Sequence, residues 1–361
     1  MTRGCAVHRV GRTRAVAASA IIAMGVPLLA GCQETRTARR TARTIAPTIK
    51  VGEPAAQLER QFEQVARTVL PSVVQITTDQ GEGSGVIYDD RGHIVTNAHV
   101  VAGASTIKVT QASGGKPLVS RLVGLFSADD LAVIKVDGAV VRPAVFGDSA
   151  KLRLGQIVMA MGSPLGLTGS VTDGIISGIG RTVSSEREGA FPGATISSAV
   201  QTSAAINPGN SGGALVTMNG QVMGIPTLIA AASPGKAAQG IGFAVPSNTV
   251  KSIAPQLIKY GKVTSSGRAA LGVSVTTVIN QSTGEPAGVG VIDVIKGGGA
   301  AKAGIHHGDV IIAVNGAPTP AQGDLAKVLA ALKPGDKVQV TVLRNGGRRN
   351  LEVRLGELPG Y

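Results

Sequence analysis

The sequence predicts a mainly β protein with at least two folded domains, on three observations. Only 2% of the 361 residues are aromatic and none is tryptophan, so the cores must be built from Val, Ile, Leu and Ala. β-branched residues such as Val and Ile favour strands. The 50 glycines divide the chain into short apolar segments between turns, a pattern typical of barrels and sandwiches. A chain of this length can hold two or three domains.

Residues 1–31 have the pattern of a secretory signal. A basic stretch without acids is followed by an apolar stretch that ends in Leu-Ala-Gly before Cys32. This ending resembles the lipobox of bacterial lipoproteins, whose cysteine becomes the lipidated N-terminus. We predict a lipid anchor at Cys32 and a location in the cell envelope, outside the cytoplasm, on the cytoplasmic membrane. An uncleaved anchor and simple secretion are the alternatives.

Composition predicts a linker after the signal and argues against nucleic-acid binding. Residues 32–55 are rich in Thr, Arg, Ala and Pro and lack an apolar period. Much of the +13 net charge comes from arginines before residue 44, and no aromatic residues interleave them to stack on bases. Both cysteines, Cys5 and Cys32, lie in this leader, so no disulfide framework is expected in the folded part.

A helix and a long series of strands are predicted next. From Ala55 to Leu70 apolar residues recur every three or four positions until Pro71. The predicted strands are Ser72–Thr77, Gly85–Tyr88, Ile94–Thr96, Thr106–Val109, Arg121–Ser127, Leu131–Val136, Ile157–Gly162, Thr172–Gly180, Ala199–Thr202, Gly213–Thr217, Gln221–Leu228 and Gly242–Val245. Their spacing fits two β-barrels, followed by a helix over Ser247–Tyr260. Two polar loops, Arg181–Ser198 and Ala231–Gly240, are expected to be mobile.

The chemistry is concentrated in Asn207-Pro208-Gly209-Asn210-Ser211-Gly212-Gly213. A serine among glycines can be a simple turn, but it is also what acyl transfer to a hydroxyl requires. We predict an oxyanion site at Gly209, Asn210 and Ser211, with the amides of Gly209 and Ser211 as donors.

Two upstream groups favour catalysis over a simple turn. His99 follows Thr96-Asn97-Ala98 and can accept the serine proton. Asp130, directly before Leu131-Ala132-Val133, can orient the imidazole, and its neighbour Asp129 is the alternative.

These motifs, in the order His99, Asp130, Ser211, resemble those of HtrA-type (DegP-like) serine proteases, and the similarity extends from about Ala56 to Leu358. The resemblance implies a chymotrypsin-like double β-barrel over 56–260 and a His-Asp-Ser triad. It also implies an ATP-independent endopeptidase that cleaves misfolded or unfolded proteins, a homotrimer, and no cofactor. A non-catalytic holdase chaperone and a PDZ-based adaptor are the alternative functions.

The specificity pocket is predicted from the residues before the serine. The position at the pocket base of trypsin-like enzymes corresponds to Ala205, followed by Ile206. Because no acid lies in this stretch, a pocket for Arg or Lys is not expected, and we predict cleavage after small apolar residues.

The segment 267–358 resembles a PDZ domain, on the motifs Ala270-Leu271-Gly272-Val273, Gly308-Asp309-Val310-Ile311 and Val314-Asn315-Gly316. The resemblance implies that an extended peptide pairs with the strand after Gly272. We predict that the loop Ala270, Leu271, Gly272 and Val273 binds a terminal carboxylate. Val273, Val275, Val328 and Leu332 are candidates for the groove lining.

Metal and nucleotide sites are not expected. His306 and His307 lie side by side without a cysteine cluster or a helical His pair. No Gly-x-x-x-x-Gly-Lys-Ser/Thr phosphate loop occurs.

Overall fold

The structure is a computed structural model that describes residues 52–138, 142–163, 169–185, 189–207, 209–227 and 240–360. The chain divides into a unit over 1–50 and a unit over 51–361 that holds every element below. The predicted signal peptide, Cys32 and nearly all of the predicted Ala231–Gly240 loop lie outside the described residues. No helix within the described ranges has the length and apolar character needed to cross a membrane.

The described elements follow the predicted order of helix, strands and helix, and then the C-terminal module. The helices are α1 (Glu53–Val69), α2 (Ala98–Val101), α3 (Ser247–Tyr260), α4 (Gly299–Ala303) and α5 (Gln322–Ala330). Short 3-10 turns span Leu70–Ser72, Ser127–Asp129 and Ser149–Lys151. The strands are β1 (Val73–Thr78), β2 (Glu82–Ile87), β3 (His93–Thr96), β4 (Ile107–Gln111), β5 (Leu118–Phe126), β6 (Leu131–Val136), β7 (Ile157–Gly162), β8 (Ser170–Ser185), β9 (Ala194–Thr202), β10 (Ala214–Thr217), β11 (Val222–Thr227), β12 (Gly242–Pro246), β13 (Ala269–Ala270), β14 (Val273–Ile279), β15 (Pro286–Val294), β16 (Val310–Val314), β17 (Ala317–Pro318), β18 (Lys337–Arg344), β19 (Gly347–Arg354) and β20 (Gly356–Glu357).

Strands β1 to β12 form two closed antiparallel barrels. The first has the strand order β1-β2-β3-β6-β5-β4, and the second has the order β10-β11-β12-β9-β8-β7. Closure leaves no free sheet edge in either barrel. The predicted fold class, a double β-barrel followed by a smaller module, is confirmed.

Strands β6 and β7 read as nearly continuous apolar runs because both of their faces are buried. In β6, Ala132 and Ile134 point into the first barrel, whereas Leu131 and Val133 belong to a core shared between the barrels. Strand β7 alternates in the same way between the second barrel's own core and this shared core. Side chains alternate across a strand, so these strands need apolar residues at successive positions. The site lies where the two barrels pack together.

Helices α1 and α3 pack on the shared core. Val65 and Val69 are the buried residues of α1, while Leu58 is 43% exposed. Helix α3 begins and ends as predicted, and Gly261 terminates it with a left-handed φ of 71°. This conformation favours glycine and commonly ends helices.

The predicted loop over Arg181–Ser198 is wrong at both ends. Its first residues belong to β8, and its last residues belong to β9. Strand β8 continues to Ser185 and pairs with β9, with Val183 opposite Ile196. Ile196 is buried while many neighbouring residues are small and polar. Few apolar side chains mark the alternation in this region, which is why the strand pattern is weak in the sequence.

The main sheet of the C-terminal module has the order β14-β15-β16-β18-β19, with β17 paired to β16, and a separate two-stranded sheet pairs β13 with β20. Its core is separate from those of the barrels and includes Val289, Ile311 and Val340. Strand β14 lies at the edge of this sheet, and α5 packs near it. Buried Asp309, directly before β16, accepts two hydrogen bonds from the Arg344 guanidinium in β18, from Nε and from Nη2, each at 2.7 Å. These bonds lower the pKa of Asp309.

Candidate active site

His99 and Asp130 form a doubly bonded pair in the first barrel. His99 lies in α2 directly after β3, and Asp130 lies directly before β6 with a left-handed φ of 51°. The His99 ring Nδ1 lies 2.8 Å from Asp130 Oδ2. The backbone N–H of His99 donates to the other carboxylate oxygen at 3.0 Å. Both oxygens bond the same residue, which fixes the position and ring orientation of the imidazole.

The Asp130 carboxylate receives further support from the second barrel. Thr227 at the end of β11 donates its hydroxyl to Asp130 Oδ2 at 2.6 Å. Asn97 donates from Nδ2 to the Asp130 carbonyl at 2.9 Å, which steadies the left-handed conformation. The aspartate is 2% exposed, and these donors compensate for the removal of its charge from water.

Asp129, the alternative carboxylate, has a different partner. It lies 3.1 Å from the guanidinium of Arg268, which also donates to the Ala128 carbonyl at 2.6 Å. Burial raises the pKa of Asp129 to about 6, and the charge of Arg268 acts in the opposite direction. The carboxylate that bonds the His99 ring is therefore that of Asp130.

The loop carrying Ser211 is held between the two barrels. The Ser211 carbonyl accepts from the amide of Ser84 in the first barrel at 2.8 Å, and the Gly212 amide donates to Pro226 at 2.9 Å. Gly212 has a φ of 82°, and a side chain there would collide with Ser84 and Thr96. The Ser211 hydroxyl is buried and has no hydrogen-bond partner in the described part of the chain.

Two amides of the predicted oxyanion site donate to no acceptor in the described chain. Gly209 has a φ of 97°, in the left-handed half of conformational space that glycine enters freely. Among the described residues, no acceptor bonds the amides of Gly209 and Ser211. The amide of Asn210 donates to the Asn207 carbonyl at 3.0 Å, so Asn210 belongs to the loop but is not an oxyanion donor in this conformation.

The serine loop packs against the residues that flank His99. A Cβ on Gly83 would lie 2.8 Å from the Val100 side chain and 3.3 Å from the Ser211 carbonyl oxygen. A Cβ on Gly212 would lie 3.2 Å from the Asn97 amide. The structure thus brings the segments of His99, Asp130 and Ser211 together at the barrel interface.

Four residues of this site were missed in the sequence: Ser84, Asn97, Phe191 and Thr227. The Phe191 ring meets the His99 ring edge to face at a centroid distance of 5.9 Å. Phe191 lies in the predicted Arg181–Ser198 loop. The one sequence signal for it is that it is aromatic in a chain with only 5 phenylalanines. Ser84 and Thr227 lie within ordinary strands, so only three-dimensional packing reveals their contacts.

The two predicted pocket residues differ in their environments. Ala205 is exposed, and its carbonyl accepts from the Thr172 hydroxyl at 2.8 Å. Ile206 is half-buried and packs on the core of the second barrel beside Gly242. Neither is an acid.

Two other histidines in the described chain make structural contacts through their rings. Buried His93 places Nδ1 2.7 Å from Asp89 in the turn before β3. His307 Nδ1 lies 2.6 Å from the Ile292 carbonyl oxygen. Within the described ranges, no three His, Cys, Asp or Glu side chains are grouped as metal ligands.

The predicted carboxylate loop lies at the free edge of the C-terminal sheet. The Leu271 carbonyl accepts from the Ala300 amide and the Gly272 carbonyl from the Ile295 amide, each at 2.9 Å. In the described chain the amides of Leu271 and Gly272 have no such partner. The predicted groove residues Val273, Val275, Val328 and Leu332 are half-buried around the module's core.

Comparison with known proteins is consistent with this architecture. Residues 83–225 match the family model of a trypsin-like peptidase domain, and residues 269–355 match that of a PDZ domain. The chain is 40% identical over 336 residues to the serine protease PepD of Mycobacterium tuberculosis, covering 88% of this chain and 70% of the relative. It is 41% identical over 285 residues to a probable periplasmic serine endoprotease, DegP-like, of Pseudomonas putida, covering 78% of this chain and 57% of that relative.

Solved structures resemble this chain over most of its length. The HtrA-type protease AlgW with tripeptide is 35% identical, with a TM-score of 0.55 and coverage of 82% of this chain and 97% of the other. A serine endoprotease from Yersinia pestis is 32% identical, with a TM-score of 0.54 and coverage of 86% and 100%. A trypsin-like domain followed by a PDZ domain, with such relatives in sequence and structure, means that this chain belongs to the HtrA/DegP family of serine proteases.

Proposed function

We propose that this protein is a serine endopeptidase in which Ser211 is the nucleophile, His99 the general base and Asp130 the residue that orients His99. The observation that carries the proposal is the pair of bonds from His99 to the two oxygens of Asp130, formed beside a buried serine loop. A neutral imidazole that donates from Nδ1 has its lone pair on Nε2, the nitrogen that accepts a proton from serine.

The reaction proceeds by acyl transfer. Ser211 Oγ attacks the scissile carbonyl as its proton passes to His99 Nε2, and the resulting imidazolium is stabilised by Asp130. The carbonyl oxygen becomes an oxyanion that accepts from the amides of Gly209 and Ser211. His99 then protonates the leaving amine, and water hydrolyses the acyl-enzyme by the same steps in reverse.

The substrates proposed are unfolded or misfolded proteins, cleaved after small apolar residues without ATP. The absence of an acid at Ala205 and Ile206 supports the apolar preference. The free edge of β14 and the unpaired amides of Leu271 and Gly272 support binding of a peptide C-terminus at the PDZ domain.

A location outside the cytoplasm is supported by the relatives named as periplasmic. Lipidation of Cys32, tethering to the membrane and assembly into a homotrimer remain parts of the proposal that rest on the sequence. The chain spans 57% of the length of the Pseudomonas relative. The activity and substrates proposed for this chain are therefore argued from its own residues and not taken from that relative.

Casein hydrolysis by Ser211→Ala tests the proposal. In a triad that acts as a unit, loss of the serine lowers kcat by about a millionfold, so digestion should cease. The matched control is Ser177→Ala, which changes an exposed serine of the same barrel. Digestion by Ser211→Ala at the rate of the control would refute the assignment.

A binding function, as a holdase or a PDZ-based adaptor, is the second candidate. The open edge of β14 favours it, because peptide pairing there requires no triad. Ser211→Ala should retain binding of a fluorescent peptide with a free apolar C-terminus. Wild-type protein that binds this peptide and prevents aggregation of unfolded protein, but never cleaves, would favour this second function.

A further inference from the structure

We propose that Ser84 is a positioning residue for the oxyanion site, holding the Gly209–Asn210 peptide through its side-chain hydroxyl. The inference deepens the proposed peptidase function and rests on it.

The Ser84 hydroxyl is built into the contact between the barrels. Ser84 lies in β2 of the first barrel and is 0% exposed. Its Oγ donates to the Gly209 carbonyl at 2.5 Å and accepts from the Ser163 amide at 2.8 Å. Both partners belong to the second barrel or its loops, so this one hydroxyl joins the oxyanion loop to the other half of the site.

The backbone of Ser84 holds the next turn of the same loop. Its amide donates to the Ser211 carbonyl at 2.8 Å, and its carbonyl accepts from the Thr96 hydroxyl at 2.7 Å. Strand β2 pairs with β3 only at Val86 and Ile87 in the described chain. At Ser84 the backbone of β2 bonds the Ser211 loop instead. Ser84 therefore bonds the carbonyls on both sides of Asn210.

These bonds fix the orientation of the Gly209–Asn210 peptide in the Ser211 loop. The carbonyl of the Gly209–Asn210 peptide is held by Ser84, and its N–H is held by the Asn207 carbonyl at 3.0 Å. With that plane fixed, the backbone dihedral angles of Gly209, which include its φ of 97°, set the direction of the Gly209 N–H. Without the hydroxyl, the buried carbonyl of Gly209 loses its side-chain donor, which favours rotation of the peptide.

The Ser84 side chain and the glycine beside it are closely packed on both faces of β2. A Cβ on Gly162 would lie 3.0 Å from Ser84 Oγ and 2.7 Å from the Asn210 Cα. On the opposite face of β2, a Cβ on Gly85 would lie 2.6 Å from the Ile94 side chain. Packing on both faces explains why the serine stands between two glycines in Gly83-Ser84-Gly85.

The test compares Ser84→Ala with Ser247→Ala. Ser247 is also 0% exposed, and its hydroxyl donates to a distant carbonyl, that of Gly147, at 3.1 Å. Steady-state kinetics use a peptide p-nitroanilide with valine at the cleaved position. Removing one oxyanion donor costs about 100- to 1000-fold in kcat. Misplacing a donor should cost less, so Ser84→Ala is expected to lose roughly tenfold or more in kcat, with KM changed less than about twofold.

Ser84→Cys, whose thiol is somewhat larger and a weaker donor than the hydroxyl, should fall between wild type and Ser84→Ala. It also replaces Ser84→Ala if the alanine variant does not fold. A kcat equal to that of Ser247→Ala, or a loss confined to KM, would overturn the positioning role.

A second readout separates this inference from the proposed function. In amide NMR spectra the Gly209 and Ser211 resonances should move in Ser84→Ala and stay in place in Ser247→Ala. Wild-type protein that never cleaves the anilide would refute the peptidase proposal, while the resonances would still decide whether Ser84 positions the loop. Unmoved resonances would contradict the inference even in an active enzyme.

Discussion

The two barrels contribute to the candidate site in different ways. The first supplies His99 and Asp130 as a pair already bonded to each other, with both carboxylate oxygens occupied. The second supplies the glycine-rich Ser211 loop, in which the serine hydroxyl and two amides have no acceptor or donor in the described chain. His99 is thus held within its own barrel, whereas the Ser211 loop is held by contacts with both barrels.

This difference shows why a double barrel suits acyl transfer. Groups that must keep one orientation throughout the reaction are bonded in advance. In the proposed mechanism, the groups that bind the developing negative charge are left unpaired for the substrate, and we infer that the bonds of Ser84 hold them in position.

Removing the preformed half of the site should have the largest effect. Asp130→Asn preserves the shape but favours the wrong tautomer of His99, and in this kind of triad the change costs about 10⁴ in kcat. Anilide hydrolysis measures the loss. Asp129→Asn is the matched control, since the adjacent carboxylate bonds Arg268 instead of His99. Equal losses in the two variants would contradict the assignment of Asp130.

The sequence predicts the three residues of the candidate triad but not the groups that hold them in place. His99, Asp130 and Ser211 lie in short motifs whose order and residue types specify a mechanism. Ser84 and Thr227 act through contacts between residues more than 90 positions apart, which no local pattern encodes. Strand β6 was located because its burial on both faces leaves an apolar run, whereas the end of β8 was missed because small polar residues obscure its alternation.

Asp129, the neighbour of Asp130, should make the stability of the protein depend on pH. Its pKa is raised from 3.8 to about 6 by burial, so between these values the native state binds more protons than the unfolded chain. Stability from this group is therefore present at low pH and falls as pH rises from about 4 to 6. A shift of this size corresponds to roughly 3 kcal/mol as an upper estimate.

Asp129→Asn should remove that pH dependence. Urea unfolding at pH 4 and pH 7 gives the difference in free energy between wild type and the variant. Wild type should lose stability relative to Asp129→Asn on going to pH 7. A difference that is constant, or that changes in the opposite direction, would contradict the raised pKa.

Loss of the contact between Asp130 and the second barrel should have the smallest effect. Thr227→Val keeps the shape but removes the hydroxyl that donates to Asp130 at 2.6 Å. A hydrogen bond to a charged group contributes about 1.5–3 kcal/mol, so kcat should fall by roughly 10- to 150-fold. Thr202→Val is the control, because its buried hydroxyl bonds the Ile175 carbonyl at 2.9 Å away from the triad. Equal kcat values in the two variants would show that Asp130 needs no support from the second barrel.

The most direct measurement of the central claim is the labelling of Ser211 by a fluorophosphonate, followed by mass spectrometry of the digested protein. The account predicts a single adduct, on Ser211, in wild type and a rate of labelling at least about a thousandfold lower in His99→Gln. An unlabelled Ser211 in wild type, or equal rates in the two proteins, would contradict it.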